Sequence, residues 1–183
     1  MADNEQSTER NENLWAPWRM QYIDSLNGKD NGCFLCRYRE DAPANDAANL
    51  LLWRSPNCMV VLNRFPYTGG HCMIAPKAHV ATLAELDDAT MLEIMQLLGA
   101  VQQVLAKAVG AEGFNVGINV GRCAGAGLPG HLHMHIVPRW SGDTNFLAVF
   151  GKVRVIPQSL EELYRAMKQA AADLQLPALK CEG

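Results

Sequence analysis

The sequence predicts an α+β fold: a five-stranded, mainly antiparallel sheet covered by one long helix, with a second helix near the C-terminus. Three observations carry this. Short apolar runs between residues 50 and 75 are separated by turn signals. Residues 83–109 place apolar side chains three or four positions apart. Beyond them, Phe114–Val120 and His131–Trp140 alternate with the period of two that marks a strand. Strand pairs grouped around a single long helix favour an antiparallel sheet over a βαβ wound one.

The elements follow in order. Residues 1–13 are polar and charged and read as a disordered lead-in. Leu14–Ile23 is aromatic-rich, with Trp15, Trp18 and Tyr22, and either packs on the body or a partner subunit or meets a base. Cys33-Phe34-Leu35-Cys36 follows an Asn-Gly turn, and residues 40–48 read as a loop. Leu50–Trp53 and Met59–Leu62 flank a Ser55-Pro56-Asn57 turn as the first two strands. The run Pro66–Gly70 turns into a third, His71–Ala75, closed by Pro76. The helical pattern over Leu83–Val109 contains Gly99 as a candidate kink and meets Gly110 as its stop. Phe114–Val120 is the fourth strand, with Asn115, Gly117 and Asn119 on one face. Gly121–Gly130 is a glycine-rich loop and His131–Trp140 the fifth strand. Ser159 opens the last helix, Ser159–Leu174, with Glu162 in capping-box position. The domain organisation is a lead-in (1–13), one domain (14–158) and a C-terminal helix with its tail (159–183).

At 183 residues, with 49% apolar side chains, the chain is long enough to bury a substantial core. A net charge of −3 argues against general nucleic-acid affinity while allowing a local phosphate pocket. The polar N-terminus has no signal-peptide core, and no stretch reads as long and apolar enough to span a membrane. A cytoplasmic, reducing setting is therefore expected. There, a pair of cysteines two residues apart signals metal or redox chemistry more often than a disulfide.

The stretch His131-Leu132-His133-Met134-His135 organises the chain. On a strand, residues two apart share a face, so the three histidines would form one imidazole row, with Leu132, Met134 and Ile136 pointing into a core. Neutral imidazole is a nucleophile, a proton donor or acceptor, or a metal ligand. Cys33 and Cys36 form half of a tetrahedral site suited to zinc, with His79 and His131 as candidates for the other half; a redox dithiol and an accidental pair are the alternatives. Gly125-Ala126-Gly127, just before the triad, offers backbone amides as a nest for phosphate.

His131–His135 resembles the H-φ-H-φ-H signature, with φ apolar, of the histidine-triad superfamily of nucleotide-binding proteins. Leu14–Arg19, Leu62–Tyr67, Gly70-His71, Asn115–Asn119 and Trp140–Phe146 extend the resemblance over about Leu14–Gln158. Together they look most like the bacterial branch that includes diadenosine tetraphosphate phosphorylases. The resemblance implies the histidine-triad fold, a homodimer, and nucleotidyl transfer. His133 would attack the α-phosphorus of an adenosine nucleotide and form a histidine-bound AMP, its tautomer fixed by the carbonyl of His131. His135 would bind the phosphoryl oxygens and protonate the leaving group.

It also implies a structural zinc on Cys33, Cys36, His79 and His131, a ribose contact from Asn63, phosphate held at the Gly125–Gly127 loop, and His71 as a buttress of the triad. Asn119 is a further candidate for phosphate or ribose. Turn capping by Asn63 and a core role for His71 remain as alternatives. Arg139 either holds structure or meets phosphate, and Trp140 either stacks on a base or packs. Where related proteins carry a serine or glutamine just before the triad, this chain has Leu128, Pro129 and Gly130, so backbone donors must serve. Diadenosine tetraphosphate is the expected substrate. Nucleoside phosphoramidates, adenylyl sulfate, and a non-catalytic nucleotide-binding protein are the alternatives.

Overall fold

The structure, a computed structural model, describes residues 32–144 and 158–179. The lead-in 1–13, the aromatic segment Leu14–Ile23, Asn145, Phe146 and Cys181 lie outside the described residues.

Five strands form one sheet: β1 (Leu51–Arg54), β2 (Cys58–Leu62), β3 (Cys72–Pro76), β4 (Gly113–Ile118) and β5 (Met134–Arg139). Their order is β1-β2-β3-β5-β4, and every neighbouring pair is antiparallel. The triad strand thus lies inside the sheet, between β3 and β4. It begins only at Met134, so His131 and His133 precede it.

The two faces of the sheet are covered differently. Val60, Leu62, Cys72, Ile74 and Ile136 lie in one apolar cluster with the long helix α3 (Asp88–Val109) and the C-terminal helix α4 (Leu160–Leu174). Ile94, Leu97, Val101, Val104 and Leu105 of α3 are buried there, with Leu163 and Met167 of α4. On the other face Leu51, Met59, Val61, Met73 and Ala75 pack with Leu35 and Tyr38 of a seven-residue helix, α1 (Phe34–Glu40). The sequence places no helix there, because seven residues are too few to display a helical period.

Residues 40–48 are not wholly a loop either. Pro43–Asn45 makes a 3-10 turn and Asp46–Asn49 a single helical turn, α2, which Leu50 ends in the left-handed region at φ 57°. The Arg54 guanidinium ties this region to the sheet by bonding Asp46 and the carbonyls of Tyr38, Arg39 and Asp41.

The long helix is shorter than its apolar period suggests. Leu83–Glu85 is a separate 3-10 turn with a Thr82/Glu85 capping box, and Asp87 then caps α3 by accepting from the Thr90 amide. The helix runs uninterrupted through Gly99 and stops at Gly110, φ +63°. By length and composition it would suffice to cross a membrane, contrary to the sequence expectation; here one of its faces is core. The last helix starts as expected, with the Ser159/Glu162 box formed on both sides. From it, the Tyr164 hydroxyl and the Lys168 ammonium donate to the carbonyls of Leu51 and Leu52 in β1.

Candidate active site

The three histidine rings divide their contacts between two clusters. His131 faces His79 edge-on, with ring centroids 5.0 Å apart, whereas His133 faces His135 at 4.9 Å. Two adjoining sites result, and they share one residue.

At the first, Cys33 caps α1, its Sγ accepting from the Cys36 amide at 3.4 Å. Cys36 Sγ lies 3.2 Å from His79 Nδ1, and His131 Nδ1 lies 3.1 Å from Cys33 Sγ. The four donor atoms all lie within 4.8 Å of one another, close enough to hold one metal ion. A tetrahedron with bonds of about 2.0–2.3 Å has edges of roughly 3.3–3.8 Å, so the spacing fits an ion at its centre. The opposite nitrogen of His131 donates to the Pro76 carbonyl at 2.8 Å, which keeps Nδ1 unprotonated and available. The cysteine pair does sit at a helix N-terminus, the setting of redox dithiols, but both sulfurs face imidazoles, and among the described residues no strand leads into that helix.

At the second, His133 is almost fully buried, and its Nδ1 donates to the His131 carbonyl at 2.8 Å. That bond fixes the tautomer and leaves Nε2 unprotonated, its lone pair available to act as a nucleophile. Burial holds the imidazole below its ordinary pKa, a tendency the His131 bond opposes. Neutral imidazole, the nucleophilic form, is therefore favoured.

His135 is oriented by a relay. The Tyr67 amide donates to His71 Nδ1 at 3.1 Å, and His71 Nε2 lies 3.0 Å from His135 Nδ1. With Nδ1 of His71 accepting, its proton is on Nε2, which donates to His135. Neutral His135 then carries its own proton on Nε2. His71 is completely buried; desolvation, with the neighbouring His135 and His133, pushes its pKa down to about 3. It touches His135 where the resemblance implies a buttress. The Tyr67 ring stacks on His71 at 4.6 Å. Tyr67 was not picked out by sequence reasoning; its only signal was its place in the turn four residues before His71.

Other candidates fall out as follows. Asn63 Oδ1 accepts from the Phe65 amide at 2.9 Å and its Nδ2 lies 3.3 Å from His71 Nδ1, so it caps its turn while standing next to the relay. In the glycine-rich loop the Gly125 amide donates to Arg122 and the Ala126 amide to Gly121, so these two donors of the expected phosphate nest bond within the loop. Neither bond involves Gly127. Asn119 lies one residue past β4.

Arg139 bonds Asp143 through two nitrogens and Asn115 through the third, and the guanidinium holds the Asp143 carboxyl well below the usual carboxylate range. Trp140 donates its indole N–H to the Val109 carbonyl at 3.0 Å, tying the end of β5 to the end of α3. Both therefore hold structure. Cys58 and Cys72 are buried; burial pushes the Cys58 thiol up to about 12, so both remain inert thiols in the core.

Three comparisons bear on this arrangement. The family model described as the HIT domain matches residues 45–142. An AP-4-A phosphorylase of Mycobacterium tuberculosis is 35% identical over 158 residues, covering 84% of this chain and 81% of that protein. An adenosine 5'-monophosphoramidase of Schizosaccharomyces pombe is 32% identical over 132 residues, covering 72% of this chain and 92% of that one. Among solved structures, a zinc-bound histidine triad family protein from Mycobacterium smegmatis superposes with a TM-score of 0.64 at 27% identity, covering 79% of this chain and 96% of that one.

Proposed function

This chain belongs to the HIT-domain family, and on that premise we propose that it cleaves diadenosine tetraphosphate by transferring an adenylyl group first to His133 and then to inorganic phosphate. It is an enzyme, a histidine-triad nucleotide hydrolase/transferase, and its likeness to the M. tuberculosis AP-4-A phosphorylase over most of both chains supports the choice of substrate and acceptor. One observation carries the mechanism: the 2.8 Å bond from His133 Nδ1 to the His131 carbonyl, which leaves Nε2 without a proton.

In the first step His133 Nε2 bonds to the α-phosphorus as the bond from that phosphorus to the bridging oxygen breaks. His135 gives its Nε2 proton to the departing oxygen, and ATP leaves. In the second step a phosphate oxygen attacks the same phosphorus, the P–N bond breaks, and ADP leaves. Splitting the displacement in two avoids direct attack by a weak nucleophile on a charged phosphodiester. The phosphoramidase likeness gives the runner-up, an amine leaving group displaced by the same His133.

Incubation with diadenosine tetraphosphate tests the reading. ADP plus ATP formed only when phosphate is present supports it. AMP plus ATP without phosphate makes water the acceptor. A His133→Ala variant with undiminished turnover overturns the mechanism.

We further propose that the Cys33, Cys36, His79 and His131 cluster holds a structural zinc in a reducing compartment, its two sulfurs and two nitrogens matching the donor set zinc prefers. Such a closed site leaves no position for substrate, so the metal would fasten α1 to the start of the triad while the chemistry stays with His133 and His135. We also propose a homodimer, from the edge position of β4 with Val116 exposed on it.

A further inference from the structure

Gly117 lies directly opposite His135 in the β4–β5 ladder, on the same face of the sheet. A glycine inside a strand weakens it and normally marks a bulge, a bend, or a place where another group comes close. Here the register runs without a break from Gly113–Arg139 to Ile118–Met134, so there is no bulge. The residue is not among the glycines with positive φ, so a bend does not require it. A Cβ built on it would meet nothing within 4 Å, so no side chain needs the space. What remains is an approach from outside, and Gly117 is solvent-exposed.

The surroundings of His135 say what approaches. On its β3 side the space is filled: His71 Nε2 lies 3.0 Å from His135 Nδ1, and the Tyr67 ring lies over His71. Across the strand, on the β4 side, the opposing position carries no side chain. A group that takes the proton of His135 while the phosphorus stays on His133 has this bare strip of β4 beside it. A leaving group of several phosphates and a second nucleoside needs such room; ammonia does not.

We infer that Gly117 sets leaving-group selectivity, keeping the floor beside His135 open to an extended polyphosphate chain. This rests on the adenylyl-transfer reading and adds to it the course of the leaving group.

The test compares wild type with Gly117→Ala and Gly117→Val, each assayed on diadenosine tetraphosphate and on adenosine 5'-phosphoramidate. Valine suits a strand better than glycine, so folding is not at risk, and a melting temperature equal to or above wild type checks this. The ratio of kcat/KM for the tetraphosphate to kcat/KM for the phosphoramidate should fall by at least about tenfold in the valine variant and by less in the alanine variant. An unchanged ratio, whether both activities hold or both fall together, overturns the inference. If wild type processes neither compound, the adenylyl-transfer reading fails, and binding then decides on Gly117. The preference for ATP over AMP in wild type should shrink in Gly117→Val; an unaltered preference overturns the inference here as well.

Discussion

Replacing His71 by glutamine should make the protein less sensitive to acid. The unfolded histidine titrates near 6.5 and the folded one near 3, because the ring is completely buried and faces two other imidazoles. Between those values the unfolded chain binds a proton that the folded chain refuses. The stability this histidine leaves intact at neutral pH is therefore present above 6.5 and lost as pH falls toward 3. The full difference, about 3.5 units at roughly 1.4 kcal/mol each, is on the order of 5 kcal/mol. Between about pH 7.5 and about pH 5 only part is expressed, roughly 2 kcal/mol.

Urea unfolding of wild type and His71→Gln at both pH values measures it. With a slope of about 2 kcal/mol per molar, the wild-type midpoint should drop by about 1 M more than the variant's. Carboxylates and the cysteine–histidine cluster also respond to acid, but they are common to both proteins and cancel in the comparison. Glutamine retains an N–H to donate to His135, so the relay is not simply deleted. Equal losses in the two proteins would refute a neutral, buried His71, and with it the tautomer assigned to His135.

Further outcomes follow from the same structure. Metal analysis should find about one zinc per chain, lost in the Cys33→Ser/Cys36→Ser double variant together with a lower melting temperature; metal-replete protein without zinc would contradict the cluster's proposed role. Trp140→Phe should cost about 1 kcal/mol of stability through the lost bond to Val109 and leave AMP affinity alone; calorimetric titration showing weaker AMP binding would return Trp140 to the base site. Ser159→Ala should destabilise α4 by about 1 kcal/mol, seen as a shift in chemical unfolding, since both halves of its capping box form.

Much of this was legible in the sequence because each signal was local. Apolar runs between turn signals gave β1 to β3, and alternation gave β4, to within a residue or two. Gly110 and Ser159 marked helix ends through left-handed backbone and capping, which depend only on neighbours. The metal quartet was readable from residue type and the resemblance. The misses share a cause: each depended on contacts made across the fold. Helix α1 is held by the packing of Leu35 and Tyr38 against the sheet rather than by a period of its own. The triad strand starts three residues later than alternation suggests, because its ladders with β3 and β4 begin only at Met134. Two amides of the glycine-rich loop were read as phosphate donors, yet they bond Arg122 and Gly121, a pairing no composition reveals. Arg139 was ambiguous until Asp143 stood beside it.

The bonds from Tyr164 and Lys168 to β1 have a consequence for how copies of this protein meet. An exposed strand edge is a template, and a sheet with two such edges can add chains indefinitely. Here the C-terminal helix occupies acceptors on β1 that an added strand would use, which closes that end of the sheet. Among the described residues this leaves β4 as the open edge. In the proposed homodimer, two copies joined through that edge would be related by a two-fold axis and would use up each other's open edge, so assembly would end at a pair rather than run on into a fibre.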